Sequence, residues 1–391
     1  MTSQQTYNTL PLSSDTVASV QSAGPFPEDV LRQIMELTMQ DCIGSLDPNQ
    51  PPLAFLKVCT TWKAIAESIP SLWSGISVTP SYFLWAKLPV IMEWLQRSRS
   101  TKLQVGIHVP QVVDLRLLNA VTNIFLPTSN RWECLSLSIP PHYLQRFLHN
   151  QNAPLPSLET LMLSLATQPV TGLAPTATRL RNVRLAVFPP MVTPYGDLLN
   201  LRWNQITCLE IVSMAGTIAD IWNTFTRCPV LETLKVTAMN NPTTPFIPFY
   251  PHNLFCSTFL ARLTLITNSR PGVIGYFLDG LYLPCLENLE LHFTDRVYDT
   301  HIWPMAEILS LRARALPPLT MLGVRGKTIG EADLCDFVSR MKYLERLDVN
   351  DGINDLVTQA VRNLLPQDDT GIQRQREAHR QELILRGFTQ N

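Results

Sequence analysis

The side chains best able to do covalent or metal chemistry are scattered along the chain. Eight cysteines, at positions 42, 59, 134, 208, 228, 256, 285 and 335, never come closer than seventeen residues, so no C-x-x-C pair exists for a zinc ribbon or a dithiol redox centre. Spread in this way through a 44.1 kDa chain, they read as small buried hydrophobes in a reducing compartment. The seven histidines, at 108, 142, 149, 252, 292, 301 and 379, share no helix-face spacing that would bring two rings to one metal. G-x-S-x-G, H-E-x-x-H, the P-loop and G-x-G-x-x-G are all absent, which removes the usual sequence grounds for hydrolase or nucleotide chemistry. Cys59 would need a paired base and an oxyanion donor to act as a nucleophile, and packing is the simpler role for it. The expectation is a chain with no catalytic residue, no cofactor and no metal.

Binding is what remains, and composition limits its kind. With 31 basic and 32 acidic residues in 391, the chain has no long-range positive field to draw it onto a phosphate backbone, so nucleic acid is not expected. Charged residues make up 16% of the chain against an ordinary ~25%. Leucines number 57, and 31 prolines outnumber 16 glycines. That much apolar surface argues against a disordered chain, and the length points to two domains or one elongated array. The first ten residues, MTSQQTYNTL, have neither the basic nor the apolar region of a secretory signal. No apolar run reaches about 18 residues; the one from Phe83 to Leu95 is interrupted by Lys87 and Glu93. A cytoplasmic or nuclear protein without a membrane span is expected.

The leucines recur. Windows of the form L-x-x-L-x-L fall at Trp132-Leu135-Leu137, Leu158-Leu161-Leu163, Leu180-Val183-Leu185, Ile206-Leu209-Ile211, Leu231-Leu234-Val236, Leu260-Leu263-Leu265, Leu286-Leu289-Leu291, Leu319-Leu322-Val324 and Leu344-Leu347-Val349. Their central residues are 22 to 33 residues apart. The closing L-x-L has the period of a short strand. Between windows the period turns helical, as at Ile218, Ile221, Trp222 and Phe225, at Leu334, Phe337, Val338 and Met341, and more briefly at Leu144, Phe147 and Leu148. One strand and one helix cannot bury their own apolar faces, but stacked copies can. With right-handed crossovers the strands lie parallel on the inner side.

This pattern resembles a leucine-rich repeat protein, whose repeat runs to about 20 to 29 residues. The family's Asn or Cys after the last leucine is met here only by Asn268; Pro140, Ala166, Phe188, Met214, Met239, Thr294, Lys327 and Gly352 stand at the other positions. An irregular solenoid is implied, with parallel strands on its concave side, helices outside, and a break in the proline-rich stretch from Asn240 to Asn253.

Four parts follow: a disordered leader (1–25), a helical unit (26–75), a linker helix with the repeats (76–361), and a polar tail or capping helix (362–391) in which Ile372 to Phe388 could form a surface helix. The helical unit opens on Phe26-Pro27-Glu28-Asp29-Val30-Leu31-Arg32-Gln33-Ile34-Met35. Pro27 suits a helix start, and Glu28 and Asp29 suit the positive end of its dipole. Val58-Cys59-Thr60-Thr61-Trp62 and Leu72-Trp73 close the unit. These residues resemble an F-box, with its Leu-Pro-x-Glu-Val/Ile-Leu-x-x-Ile opening and Val-Cys-x-x-Trp segment. Phe26 and Asp29 are departures from that signature. Ile91 to Ser98 and Leu103 to Ile107 look like the helix and strand that join F-box and repeats in the large fungal F-box families.

The resemblance implies an α/β protein serving as the non-catalytic substrate-recognition subunit of a Skp-cullin-F-box ubiquitin ligase. Its F-box would dock on the Skp adaptor and so reach the cullin scaffold, while the repeats hold a protein substrate. Pro27, Val30, Leu31, Ile34, Val58, Cys59, Trp62 and Ile65 would make or support the adaptor interface. By strand period, the substrate face would include Arg184, Glu210, Lys235, Thr264, Glu290, His292, Arg325 and Asp348. That mix of signs fits a protein or peptide. The alternative is a repeat scaffold with no link to ubiquitination; a hydrolase is a third possibility, disfavoured by the missing constellations.

Overall fold

The computed structural model describes residues 26–40, 42–79, 82–109, 114–140, 143–144, 155–166, 177–188, 201–213, 222, 224–238, 255–267, 277–294, 305–315, 318–326, 329–341, 343–350, 355–365 and 381. The leader, the stretch from Asn240 to Asn253, positions 218, 221, 147 and 148, and nearly all of the tail with its surface helix lie outside the described residues.

The protein is mixed α/β, built on one parallel sheet of twelve strands. The strands are β1 (Gly44–Ser45), β2 (Gly75–Val78), β3 (Leu103–His108), β4 (Trp132–Ser138), β5 (Thr160–Ala166), β6 (Asn182–Phe188), β7 (Cys208–Ser213), β8 (Thr233–Ala238), β10 (Arg262–Thr267), β12 (Asn288–Phe293), β13 (Met321–Arg325) and β14 (Arg346–Asn350). They lie side by side in chain order. Two further short strands, β9 (Phe255–Cys256) and β11 (Leu281–Tyr282), form their own parallel pair.

Register follows the leucine windows. Leu135, Leu161, Val183, Leu209, Leu234, Leu263, Leu289, Leu322 and Leu347 are successive partners across nine strands. A one-residue slip would turn each leucine pair to the opposite face, so burial on one side locks the pairing. Backbone bonds at the strand entries add to this. The carbonyl of Glu159 accepts from both Arg181 and Asn182, that of Thr207 from Glu232 and Thr233, and that of Ala261 from Glu287 and Asn288, each at 2.8 to 3.0 Å. Every repeat is therefore clamped to the preceding one just before its strand begins. Pro156, Pro229, Pro284 and Pro318 stand shortly ahead of such entries, where a proline stops any helix from continuing.

Framework residues point inward and are buried, save Leu347, which is half-buried on the last strand. They join one apolar cluster with residues of helices α4 (Leu115–Phe125), α5 (Met305–Ala315) and α6 (Glu331–Ser339). The periodic set Leu334, Phe337 and Val338 is the buried stripe of α6. Parallel sheets need such a cover on the apolar face.

The first fifty described residues carry α1 (Glu28–Met39), a 3-10 turn (Leu53–Lys57), α2 (Thr60–Ser68) and a second 3-10 turn (Pro70–Trp73). Pro27 precedes the first helical residue, and its carbonyl accepts from Leu31 N at 3.1 Å. The expected boundary after residue 75 falls inside β2, and β1 comes from the loop after α1, so the helical unit contributes strands to the large sheet. Helix α3 (Leu88–Arg97) ties the two together through Trp94 and Arg97.

Candidate functional site

Two surfaces collect the residues that sequence marks for binding. The first is on the helical unit. Leu31 and Met35, four apart on α1, face inward with Ile65 and Ala66 of α2. Arg32 fixes the angle between the helices, donating to Glu28 Oε1 at 2.8 Å and to Ser68 Oγ at 2.9 Å. With that face committed, the outer side of α1 carries exposed apolar residues: Phe26, just before the helix, is 61% exposed, Val30 37%, Ile34 40% and Leu37 62%. Val58 adds a fifth apolar side chain at 58%.

The eight residues marked for an adaptor therefore separate. Pro27, Val30, Ile34, Val58 and Cys59 are exposed. Trp62 is half-buried against Phe55, ring centroids 5.9 Å apart. Leu31 and Ile65, at 3% and 5% exposure, belong to the core and can reach a partner only through the backbone they shape. The 3-10 turn ends at Lys57, and Cys59, extended at φ −164°, is the residue from which α2 starts at Thr60. The stretch from Leu53 to Ala66 is accordingly two helical pieces with a break at Val58 and Cys59.

The second surface is the sheet face opposite the leucines. Arg184, Glu210, Lys235, Thr264, Glu290, Gly323 and Asp348 are register partners in one row. Ala186, Val212, Thr237, Ile266, His292, Arg325 and Asn350 form the next row. Glu210 is shared by two cations, at 3.4 Å from Arg184 Nε and 3.1 Å from Lys235 Nζ. Arg325 pairs with Asp348 at 2.5 Å, and Asn350 Nδ2 donates to the other carboxylate oxygen at 3.2 Å. Burial pushes the Asp348 carboxyl up, but bonds from Arg325 and Asn350 outweigh it and hold the group below its ordinary range.

Glu290 meets Thr264 Oγ1 at 3.5 Å and His292 Nε2 at 3.7 Å. Burial and the nearby Arg325 charge lower the His292 pKa against the pull of Glu290. The imidazole is thus neutral at pH 7, and its Nε2 has no hydrogen-bond partner among the described residues.

All eight residues marked for a substrate face share this side of the sheet. Sequence reasoning passed over a third outward row at the strand entries, which holds Arg262 and Arg346, both exposed. Carrying the period of two back by one more step would have found it.

Among the described residues, no group of three or more His, Cys, Asp or Glu is placed to hold a metal ion, and no helix is long and apolar enough to cross a membrane. No model of a known protein family matches the chain, and no curated protein is significantly similar to it.

Proposed function

We propose that the chain is the substrate-recognition subunit of a Skp-cullin-F-box ubiquitin ligase, with an F-box at residues 26–75 and a leucine-rich repeat solenoid after it. The observation that carries this reading is the bare apolar stripe of α1. Six of the ten large hydrophobics that stand exposed among the described residues fall between Phe26 and Val58, a concentration that marks a docking surface. Three of them, Val30, Ile34 and Val58, stand at positions to which the F-box resemblance assigns the adaptor contact. An amphipathic helix lying apolar side out fits a groove or helical partner, and the Skp adaptor is that partner here.

The second support is the parallel repeat sheet, whose open face offers polar residues of both signs to a protein substrate. The protein's part in the reaction is to hold one partner near another, so no catalytic side chain is required of it.

The test uses the full chain with a purified Skp-family adaptor, read by titration calorimetry. Binding is expected, and Ile34→Asp or Val58→Asp should weaken it by about tenfold or more, since a charge placed in a desolvated contact costs most of a hot spot. Both side chains are exposed, so thermal unfolding should hardly move. No binding by the unaltered chain would overturn the reading in favour of a repeat scaffold with no tie to ubiquitination.

A further inference from the structure

We infer that the sheet face over β6, β7, β8 and β10 is the part that takes the partner, and that it takes a segment of protein bearing Asp or Glu carboxylates beside apolar side chains. This rests on the reading of the open sheet face as the partner-binding surface, and not on adaptor docking.

Charge is the first argument. The outward positions of these four strands hold three cations, Arg184, Lys235 and Arg262, and one acid, Glu210. One carboxylate thus serves two cations, and it sits deeper than they do: its side chain is 20% exposed, against 51% for Arg184 and 46% for Lys235. A partner meets the positive tips first. The next acid within the face, Glu290, lies one strand further on, on β12, and Glu232 precedes β8 at its strand entry. The whole chain carries a net charge of −1, so this positive patch runs against its overall balance.

The remaining strands lack that excess. Over β12, β13 and β14 the outward charges balance, Arg325 and Arg346 against Glu290 and Asp348, with Arg325 and Asp348 closing a pair. The outward residues of β3 to β5 are uncharged, among them Gly106, His108, Ser136, Ser138 and Met162.

Shape gives the second argument. Beside the charged row, Ala186, Val212, Thr237 and Ile266 make an uncharged, largely apolar row across the same four strands, each half-buried. Apolar centre next to charged flank is the anatomy of a protein interface. Rows two residues apart along a strand lie about 7 Å from each other. That separation suits a carboxylate and an apolar side chain at i and i+2 of an extended segment, or one turn apart on a helix. Across the strands, the four-strand patch is about 14 Å wide.

The test is fluorescence anisotropy with the purified full chain and three synthetic 16-residue peptides that share leucine positions and carry Glu, Gln or Lys between them. The Glu peptide should bind, the Gln peptide should bind at least tenfold more weakly, and the Lys peptide should not bind. Lys235→Glu, Arg184→Glu and Ile266→Asp should each weaken the Glu peptide by about tenfold or more. Glu210→Gln, which frees both cations, should tighten it. Lys63→Glu, exposed on α2 and off the sheet face, should leave it unchanged.

No binding of the Glu peptide, equal binding of all three peptides, or indifference to Lys235→Glu would overturn the inference. Adaptor affinity, measured on the unaltered chain, reports separately: no adaptor binding with the Glu peptide still bound strikes the ubiquitin-ligase reading alone, and no peptide binding with the adaptor still bound strikes the patch alone.

Discussion

Single residues divide by how much the chain's own period could say about them. The framework leucines were legible because a period of two assigns a face without any knowledge of neighbours. Gly326 was not legible. Its φ of +80° lies in the left-handed region, and a Cβ there would fall 2.0 Å from the carbonyl oxygen of Phe293, a residue more than thirty positions away. Backbone cannot swing aside as a flexible side chain can, so Gly326→Ala is expected to cost about 2 kcal/mol or more, read as a lower urea midpoint at unchanged slope. Cys228 was expected to be a buried apolar filler, and it is fully buried, its thiol pushed up to about 12 by desolvation. Cys42, Cys59 and Cys256 were expected to be the same and are exposed, and Cys134, Cys208, Cys285 and Cys335 are half-buried. Alkylation of the native protein near pH 8 followed by mass spectrometry should therefore label Cys42 and Cys59 and spare Cys228 until denaturant is added. Early labelling of Cys228 would mean that its surroundings open far more readily than the packed cluster around it implies.

At the scale of elements, sequence reasoning found the nine repeat strands, α6, and the α3 helix and β3 strand that precede them. It passed over β1 and β2. Two and four residues are too few for a period to show, and both exist because a neighbouring strand offers unpaired backbone groups. Helix α1 illustrates a subtler limit. Its apolar residues Val30, Leu31, Ile34 and Leu37 share one helical spacing in the sequence, whereas the fold divides them, Leu31 on a buried side and the other three on an open one. Hydrophobicity alone cannot separate a residue that packs from one that waits for a partner. Substitution can. Leu31→Asp places an unpaired charge in the core and should destabilise the protein by more than about 3 kcal/mol, while Ile34→Asp on the open side should stay within about 0.5 kcal/mol. Similar thermal midpoints for the two variants would contradict the burial of Leu31 against α2.

For the whole molecule, the decisive feature is the seam between the helical unit and the repeats. Trp73 and Trp94 meet edge to face with centroids 5.1 Å apart. Trp94 Nε1 donates to the Trp73 carbonyl, and Trp73 Nε1 to that of Ala66, both at 2.9 Å. Arg97 lies 4.8 Å from the centre of the Trp73 ring and pairs with Glu67 of α2 at 2.9 Å. Gly44 closes the stack from β1: a Cβ there would come within 2.5 Å of the Trp94 ring. Every partner of Trp94 in this group belongs to the first 75 residues, yet Trp94 itself belongs to the linker. A segment ending near residue 75 would thus expose Trp73 and leave β2 without β3, and so small a core is marginal on its own. The two regions should unfold together. Trp94→Ala is expected to cost about 3 to 5 kcal/mol, and in hydrogen exchange the amides of α2 and of β3 should lose protection to the same degree, because one buried ring supports both. Loss confined to β3, with α2 still protected to the level of the unaltered protein, would mean that the helical unit stands alone and that the sheet merely abuts it.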